Sequence, residues 1–219
     1  MIQALIFDFD GTLFDTGEGI IRSVQYALER YGIRETDLAK LRKFVGPPLS
    51  DSFMELYGMS AAQANEAVAL YRERYVPVGL LECAPYPGMP ELLERLRTKG
   101  FRLGVATGKP TAMAEKILSN HQMERVFDCV YGSEPDGTRG KKEEAVAAVL
   151  EEFCLTGEKK RAALMVGDRK YDAQGAAACG IDCVGVYYGY AEPGELEQAG
   201  AIVTVDTVAE LGQYLLNLN

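Results

Sequence analysis

The sequence predicts an α/β protein: a parallel-sheet, Rossmann-like core with an inserted all-helical cap domain. Three observations carry this. A short apolar run, Ile2–Phe7, stops at Asp8, Asp10 and Gly11. Residues 16–80 then show helical patterning alone. Beyond Pro85 and Pro87, strand-length apolar runs alternate with amphipathic stretches, the pattern of βα units laid into a parallel sheet.

Ile2–Phe7 reads as a buried first strand because it is short, apolar and closed by turn formers. Ile20, Ile21, Val24, Ala27, Leu28 and Tyr31 then recur at helical spacing, with Gly32 as a stop. Ser50 is expected to cap a helix carrying Phe53, Met54 and Tyr57, which Gly58 ends. Ser60 and Gln63 make a capping-box pattern before a helix reaching Tyr75. About 65 residues without a strand are too many for a simple connection. Residues 16–80 are therefore expected to form a helical domain, and residues 1–15 and 81–219 the core.

Pro77, Gly79, Pro85, Pro87 and Gly88 punctuate the return. Leu92, Leu93 and Leu96 then mark a helix stopped by Gly100. Arg102–Ala106 is expected as a strand, followed by a turn at Gly108 and Pro110 and a helix through Ile117 and Leu118. Phe127–Tyr131 is the next strand. A helix from Lys142 to Phe153 turns Ala145, Val146, Val149 and Leu150 inward. Strands follow at Ala162–Val166, Cys183–Tyr187 and Ile202–Val205, with a helix over Asp172–Cys179 between the first two.

Composition narrows the function. The apolar fraction of 47% and charged fraction of 25% are ordinary for a globular chain of 219 residues. A net charge of -9 argues against a nucleic-acid polymer as partner, since its phosphates would be repelled. A small phosphorylated metabolite in a locally positive pocket is compatible with it. No apolar run approaches the roughly 20 residues of a membrane span, and no signal-peptide pattern precedes Asp8. Cys83, Cys129, Cys154, Cys179 and Cys183 form no Cys-x-x-Cys pair. They read as thiols in a reducing compartment, so a cytoplasmic location is expected.

The chemistry-bearing residues cluster where strands end. Alternate strand residues face one way, so Asp8 and Asp10 in Asp8-Phe9-Asp10-Gly11-Thr12 can aim into one site. Two such carboxylates repel and call for a cation or a proton. Thr107-Gly108 closes another strand and suits close approach of phosphate oxygens to backbone N–H groups. Gly140-Lys141-Lys142 opens a helix. The phase of Ala145, Val146 and Val149 favours Lys142 as the site lysine, with Lys141 as the alternative. Gly167-Asp168 follows a buried strand, and Asp172 lies four residues on, where it is also a candidate N-cap.

Each signal alone has a bland reading; their order does not. "DFDGTLFDT", "VATGKP", the helix-opening lysine and "MVGDRKYDAQGA" together resemble the haloacid dehalogenase-like hydrolase superfamily over the whole chain. The helical insert, "KFVGPPLSDSF" and "SEPDGTRGKKEEA" resemble its phosphoglycolate phosphatase-like branch and relatives named 5′-nucleotidases.

The resemblance implies a Mg²⁺-dependent phosphate monoester hydrolase. Asp8 would be the nucleophile and Asp10 the acid and base. Mg²⁺ would be held by Asp8, the Asp10 carbonyl and Asp168, with Asp172 steadying its waters. Thr107, Gly108 and Lys142 would bind the phosphoryl group. Lys43, beside Arg42, is the candidate for reading a substrate carboxylate. Phosphoglycolate is the leading expectation and a nucleoside 5′-monophosphate the second.

Other readings are weaker. A β-phosphoglucomutase-like mutase would share both aspartates but need a sugar bisphosphate. A catalytically silent regulatory protein would be signalled by a lost motif aspartate, and none is lost. One histidine, His121, is too few for a His-based zinc site. Gly132–Thr138 has P-loop spacing but lacks the lysine.

Overall fold

The computed structural model describes residues 1–218. In chain order the elements are β1 (Ala4–Phe7), β2 (Phe14–Asp15), α1 (Gly17–Arg30), α2 (Leu38–Arg42), α3 (Leu49–Tyr57), α4 (Ala61–Tyr75), β3 (Ala84–Pro85), α5 (Met89–Thr98), β4 (Arg102–Pro110), α6 (Thr111–Asn120), β5 (Cys129–Ser133), α7 (Lys142–Glu152), β6 (Ala163–Gly167), α8 (Lys170–Cys179), β7 (Asp182–Val186), α9 (Glu195–Gln198), β8 (Val203–Val205) and α10 (Val208–Leu216). Two compact units result. One comprises Met1–Phe14 and Pro85–Asn219, the other Asp15–Ala84.

The larger unit is built on a six-stranded sheet in the order β5-β4-β1-β6-β7-β8, with every neighbouring pair parallel. β1 lies at its middle and all four of its residues are wholly buried. That explains why it is apolar throughout instead of alternating. Ala4, Ile6, Ala106 and Met165 face one core cluster with Ala145, Val146, Val149 and Leu150 of α7 and Ala173 and Ala176 of α8. Each fully buried valine or leucine there stabilises the fold by roughly 1.5–3 kcal/mol.

β4 runs through Pro110 instead of ending at Ala106. A register shift against β5 between Ala106 and Pro110 absorbs the turn expected at Gly108. Such a bulge keeps the strand paired while re-aiming its side chains. The chain places β4 and β5 to one side of β1 and β6, β7 and β8 to the other. The carboxyl ends of β1 and β6 thus flank a topological switch point, where open α/β sheets bind ligands.

The smaller unit is helical, α1 to α4 with a short 3₁₀ turn at Gly79–Leu81. Ser60 and Gln63 form the expected capping box, and Gly58 ends α3 in the left-handed conformation at φ 65°. Ser50 does not cap α3: Pro48 occupies the N-cap and Ser50 lies one residue inside the helix. Proline favours the extended conformation that leads into a helix and needs no N–H there. α2 has its own N-cap, Asp37, which accepts from the Ala39 and Lys40 amides. Phe44 and Phe53 pack edge to face with ring centroids 4.9 Å apart. Arg74 forks onto Glu82 at 2.8 and 2.9 Å and ties the returning segment to α4.

Candidate active site

The site forms at the carboxyl edge of the sheet. The Asp8 amide donates to the Val166 carbonyl at 2.9 Å, carrying the β1–β6 ladder one residue beyond Phe7. Asp8 is thereby held beside Gly167-Asp168 at the end of β6. One carboxylate oxygen each of Asp8, Asp168 and Asp172 lies within 4.8 Å of the others, and all three residues are buried.

Lys142 joins this group. Its Nζ lies 2.6 Å from Asp8 Oδ1 and 2.8 Å from Asp172 Oδ1, and it donates to the Ala106 carbonyl at 3.2 Å. It is the first residue of α7, and the buried Ala145, Val146 and Val149 set its direction. Gly175 on α8 makes room for its stem: a Cβ there would stand 2.7 Å from Lys142 Cγ. Lys141, the N-cap of α7, is exposed.

Asp172 is not the N-cap of α8. Arg169 holds that position, and its amide donates to Asp172 Oδ2 at 3.0 Å from one turn within. The other carboxylate oxygen is thereby left facing Lys142.

Asp10 turns a different way. Its carboxylate receives Lys109 Nζ at 2.7 and 3.0 Å, and it is not among the three grouped acids. Thr107 is buried, and its Oγ1 accepts the Lys109 amide at 3.1 Å. Gly108 is exposed, and its carbonyl accepts from Ser133 Oγ at 3.1 Å. Lys43 and Arg42 are exposed at the end of α2, in the helical unit. His121 closes α6 and packs its ring 5.2 Å from that of Phe14.

Three further residues shape the surroundings of Asp168. Thr12 Oγ1 donates to Asp168 Oδ1 at 3.1 Å, and the Tyr190 amide donates to Asp168 Oδ2 at 2.8 Å. Gly11 allows this closeness: its φ is +86°, and a Cβ there would fall 2.1 Å from Asp168 Oδ2. Thr12 stands in the first motif, so its hydroxyl was a visible signal. Tyr190 acts through its backbone, which side-chain chemistry does not reveal.

Electrostatics sharpen the picture. Burial pushes the Asp8 carboxyl up to about 7 against the opposing pull of Lys142, and Asp172 and Asp10 push the same way as burial. Burial, then Asp172 and Asp8, hold Asp168 well above the usual carboxylate range. Burial pulls the Lys142 ammonium down, but Asp172 and Asp8 outweigh it and keep the lysine charged.

When all are ionised, Asp8, Asp10, Asp168 and Asp172 carry four negative charges against two positive ones on Lys109 and Lys142. The remaining two match a divalent cation. The donors are all oxygens, which suits a hard ion such as Mg²⁺. The residues present therefore fit a metal held by Asp8 and Asp168, with Asp172 alongside.

The chain is similar to several known proteins. A family model described as haloacid dehalogenase-like hydrolase matches residues 5–186. A 5′-nucleotidase of Pseudomonas aeruginosa is 48% identical over 192 residues, covering 88% of this chain and 86% of that protein. Tyrosine-protein kinase PtkA of Mycobacterium tuberculosis is 37% identical over 217 residues, 97% of this chain and 72% of that one. The crystal structure of a predicted phosphatase from Clostridium acetobutylicum matches with a TM-score of 0.92 and 39% identity, over 100% of both chains.

Proposed function

Because the chain belongs to the haloacid dehalogenase-like hydrolases, we propose that it is a Mg²⁺-dependent phosphate monoester hydrolase working through an aspartyl-phosphate on Asp8. One observation carries this reading above the rest. Lys142 bridges Asp8 and Asp172 at 2.6 and 2.8 Å beside Asp168, a nucleophile, a cation and a metal-ready acid pair in one buried cluster.

In the first half-reaction an Asp8 carboxylate oxygen forms a bond to phosphorus as the ester P–O bond breaks. The Asp10 carboxyl gives its proton to the departing alkoxide. In the second, water attacks the same phosphorus, Asp10 takes its proton, and the Asp8–phosphorus bond breaks to release inorganic phosphate. Thr107 and Lys142 donate to the equatorial oxygens, whose charge must be matched as they flatten. A bound Mg²⁺ would polarise a phosphoryl oxygen and offset the repulsion between phosphate and carboxylates.

For the substrate, a nucleoside 5′-monophosphate is the better supported reading, since the relative named a 5′-nucleotidase shares 48% of the aligned residues. Phosphoglycolate remains the competing outcome, on the resemblance of the insert. A cytoplasmic location belongs to the same proposal. It is supported by the free thiols of Cys83, Cys129, Cys154, Cys179 and Cys183.

The test is a hydrolysis screen over phosphorylated metabolites with and without Mg²⁺. Turnover of nucleoside monophosphates above phosphoglycolate supports the first substrate. The reverse ranking, with Lys43→Ala raising KM for phosphoglycolate more than for a neutral aryl phosphate, supports the second. No Mg²⁺-dependent release of phosphate from any ester overturns the reading.

A further inference from the structure

Lys109 has no role in the chemistry above, yet it reaches Asp10, the proposed acid and base, which the metal-ready cluster leaves out. Its Nζ lies 2.7 Å from Asp10 Oδ1 and 3.0 Å from Oδ2, with the two side chains only 5% and 15% exposed. A buried ion pair of this kind seldom repays its desolvation, so fold stability is a poor reason for it.

The lysine is itself held in place. It lies two residues past Thr107 in the bulged part of β4, and its amide donates to Thr107 Oγ1 at 3.1 Å. On the other side β5 presses close: a Cβ on Gly132 would stand 2.1 Å from the Lys109 carbonyl oxygen. The turn that presents the phosphate-binding hydroxyl therefore also aims the ammonium.

We infer that Lys109 is a positioning residue that holds the Asp10 carboxyl group in the rotation needed for proton transfer to the departing ester oxygen. The inference rests on the acid–base role proposed for Asp10. A carboxyl group turns about its Cβ–Cγ bond, and only some rotations direct a proton at the departing oxygen. A forked ammonium removes that freedom. Proton transfer loses much of its rate when its geometry is loosened.

The test is steady-state kinetics of the full chain with Mg²⁺ on two esters. One is p-nitrophenyl phosphate, whose leaving group needs little protonation. The other is AMP or phosphoglycolate, whichever is turned over faster. Lys109→Met is expected to lower kcat on the alkyl ester by about 10- to 100-fold, with KM nearly unchanged, and on the aryl ester by less than about 3-fold. Lys109→Arg should recover most of the loss. In an Asp10→Asn background, Lys109→Met should change kcat by less than about 2-fold, since a positioning residue has nothing left to position.

Equal losses on both esters, or a full loss added to that of Asp10→Asn, overturn the inference. If Lys109→Met does not fold, Lys109→Ala, which also removes the donor, replaces it with the same expected ester dependence. If Asp10→Asn itself shows no dependence on the leaving group, the acid assignment falls and this inference with it. If Asp10→Asn shows that dependence and Lys109→Met does not, only the role of Lys109 falls.

Discussion

Lys142 Nζ stands 2.6 Å from Asp8 Oδ1, although 134 residues separate them in the chain. The contact places a permanent cation against the proposed nucleophile and the phosphoryl oxygens it would attack. Lys142→Ala is expected to lower kcat by about 10²–10³-fold, the scale for losing one preorganised charge-stabilising donor. Lys141→Ala should stay within about 2-fold of wild type, because Lys141 is exposed and points its charge into solvent. Comparing the two rates checks this, and the reverse ranking would move the role to Lys141.

The paired aspartates should divide their labour. Asp8→Asn should abolish covalent phosphorylation, read by trapping the phosphoenzyme with a labelled ester. Asp10→Asn should still accept phosphate from an activated aryl ester but turn over slowly, by about 10²-fold or more. Retention of wild-type turnover by Asp8→Asn would remove it as nucleophile.

Metal binding should depend on pH in a defined direction. Without metal, Asp8 is raised from 3.8 to about 7 in the folded protein, so folding takes up a proton between those values. That contribution to stability is present at low pH and is lost as pH rises through 7; Asp168 shifts the same way. The Tm of chelated protein should therefore fall between pH 5 and about 7.5. Added Mg²⁺ competes with the Asp8 proton, so its affinity should rise by up to about tenfold per pH unit below 7. Chelation should abolish activity throughout. Calorimetry and metal titration at three pH values test the sign; Mg²⁺ affinity that falls with rising pH contradicts it.

Asp168 depends on the Thr12 hydroxyl and the Tyr190 amide. Thr12→Val keeps the shape but removes a donor, leaving a buried carboxylate oxygen without it. Mg²⁺ affinity should weaken by about 10- to 100-fold, as for other groups that orient a metal ligand. Gly11→Ala should be harsher. It combines a φ of +86° with a Cβ 2.1 Å from Asp168 Oδ2. Thermal melting together with metal titration separates the two effects: the first variant should lose chiefly affinity, the second stability as well.

Much was legible in the chain because local physics determines it. A strand buried on both faces must be apolar throughout, so β1 announced itself, and helical phase turned Lys142, not Lys141, toward the sheet. Motif order then implied a family and its acids. What the sequence alone could not decide was every relationship created by bringing distant segments together. The forked Lys109–Asp10 pair joins residues 99 apart, and the Thr12–Asp168 bond joins residues 156 apart. No periodicity or spacing encodes such distances, because they depend on strand order and register in the finished sheet. The bulge in β4 and the Tyr190 amide belong to the same class. Backbone positions and local shifts of register follow from packing against neighbours, and the neighbours exist only in the tertiary structure.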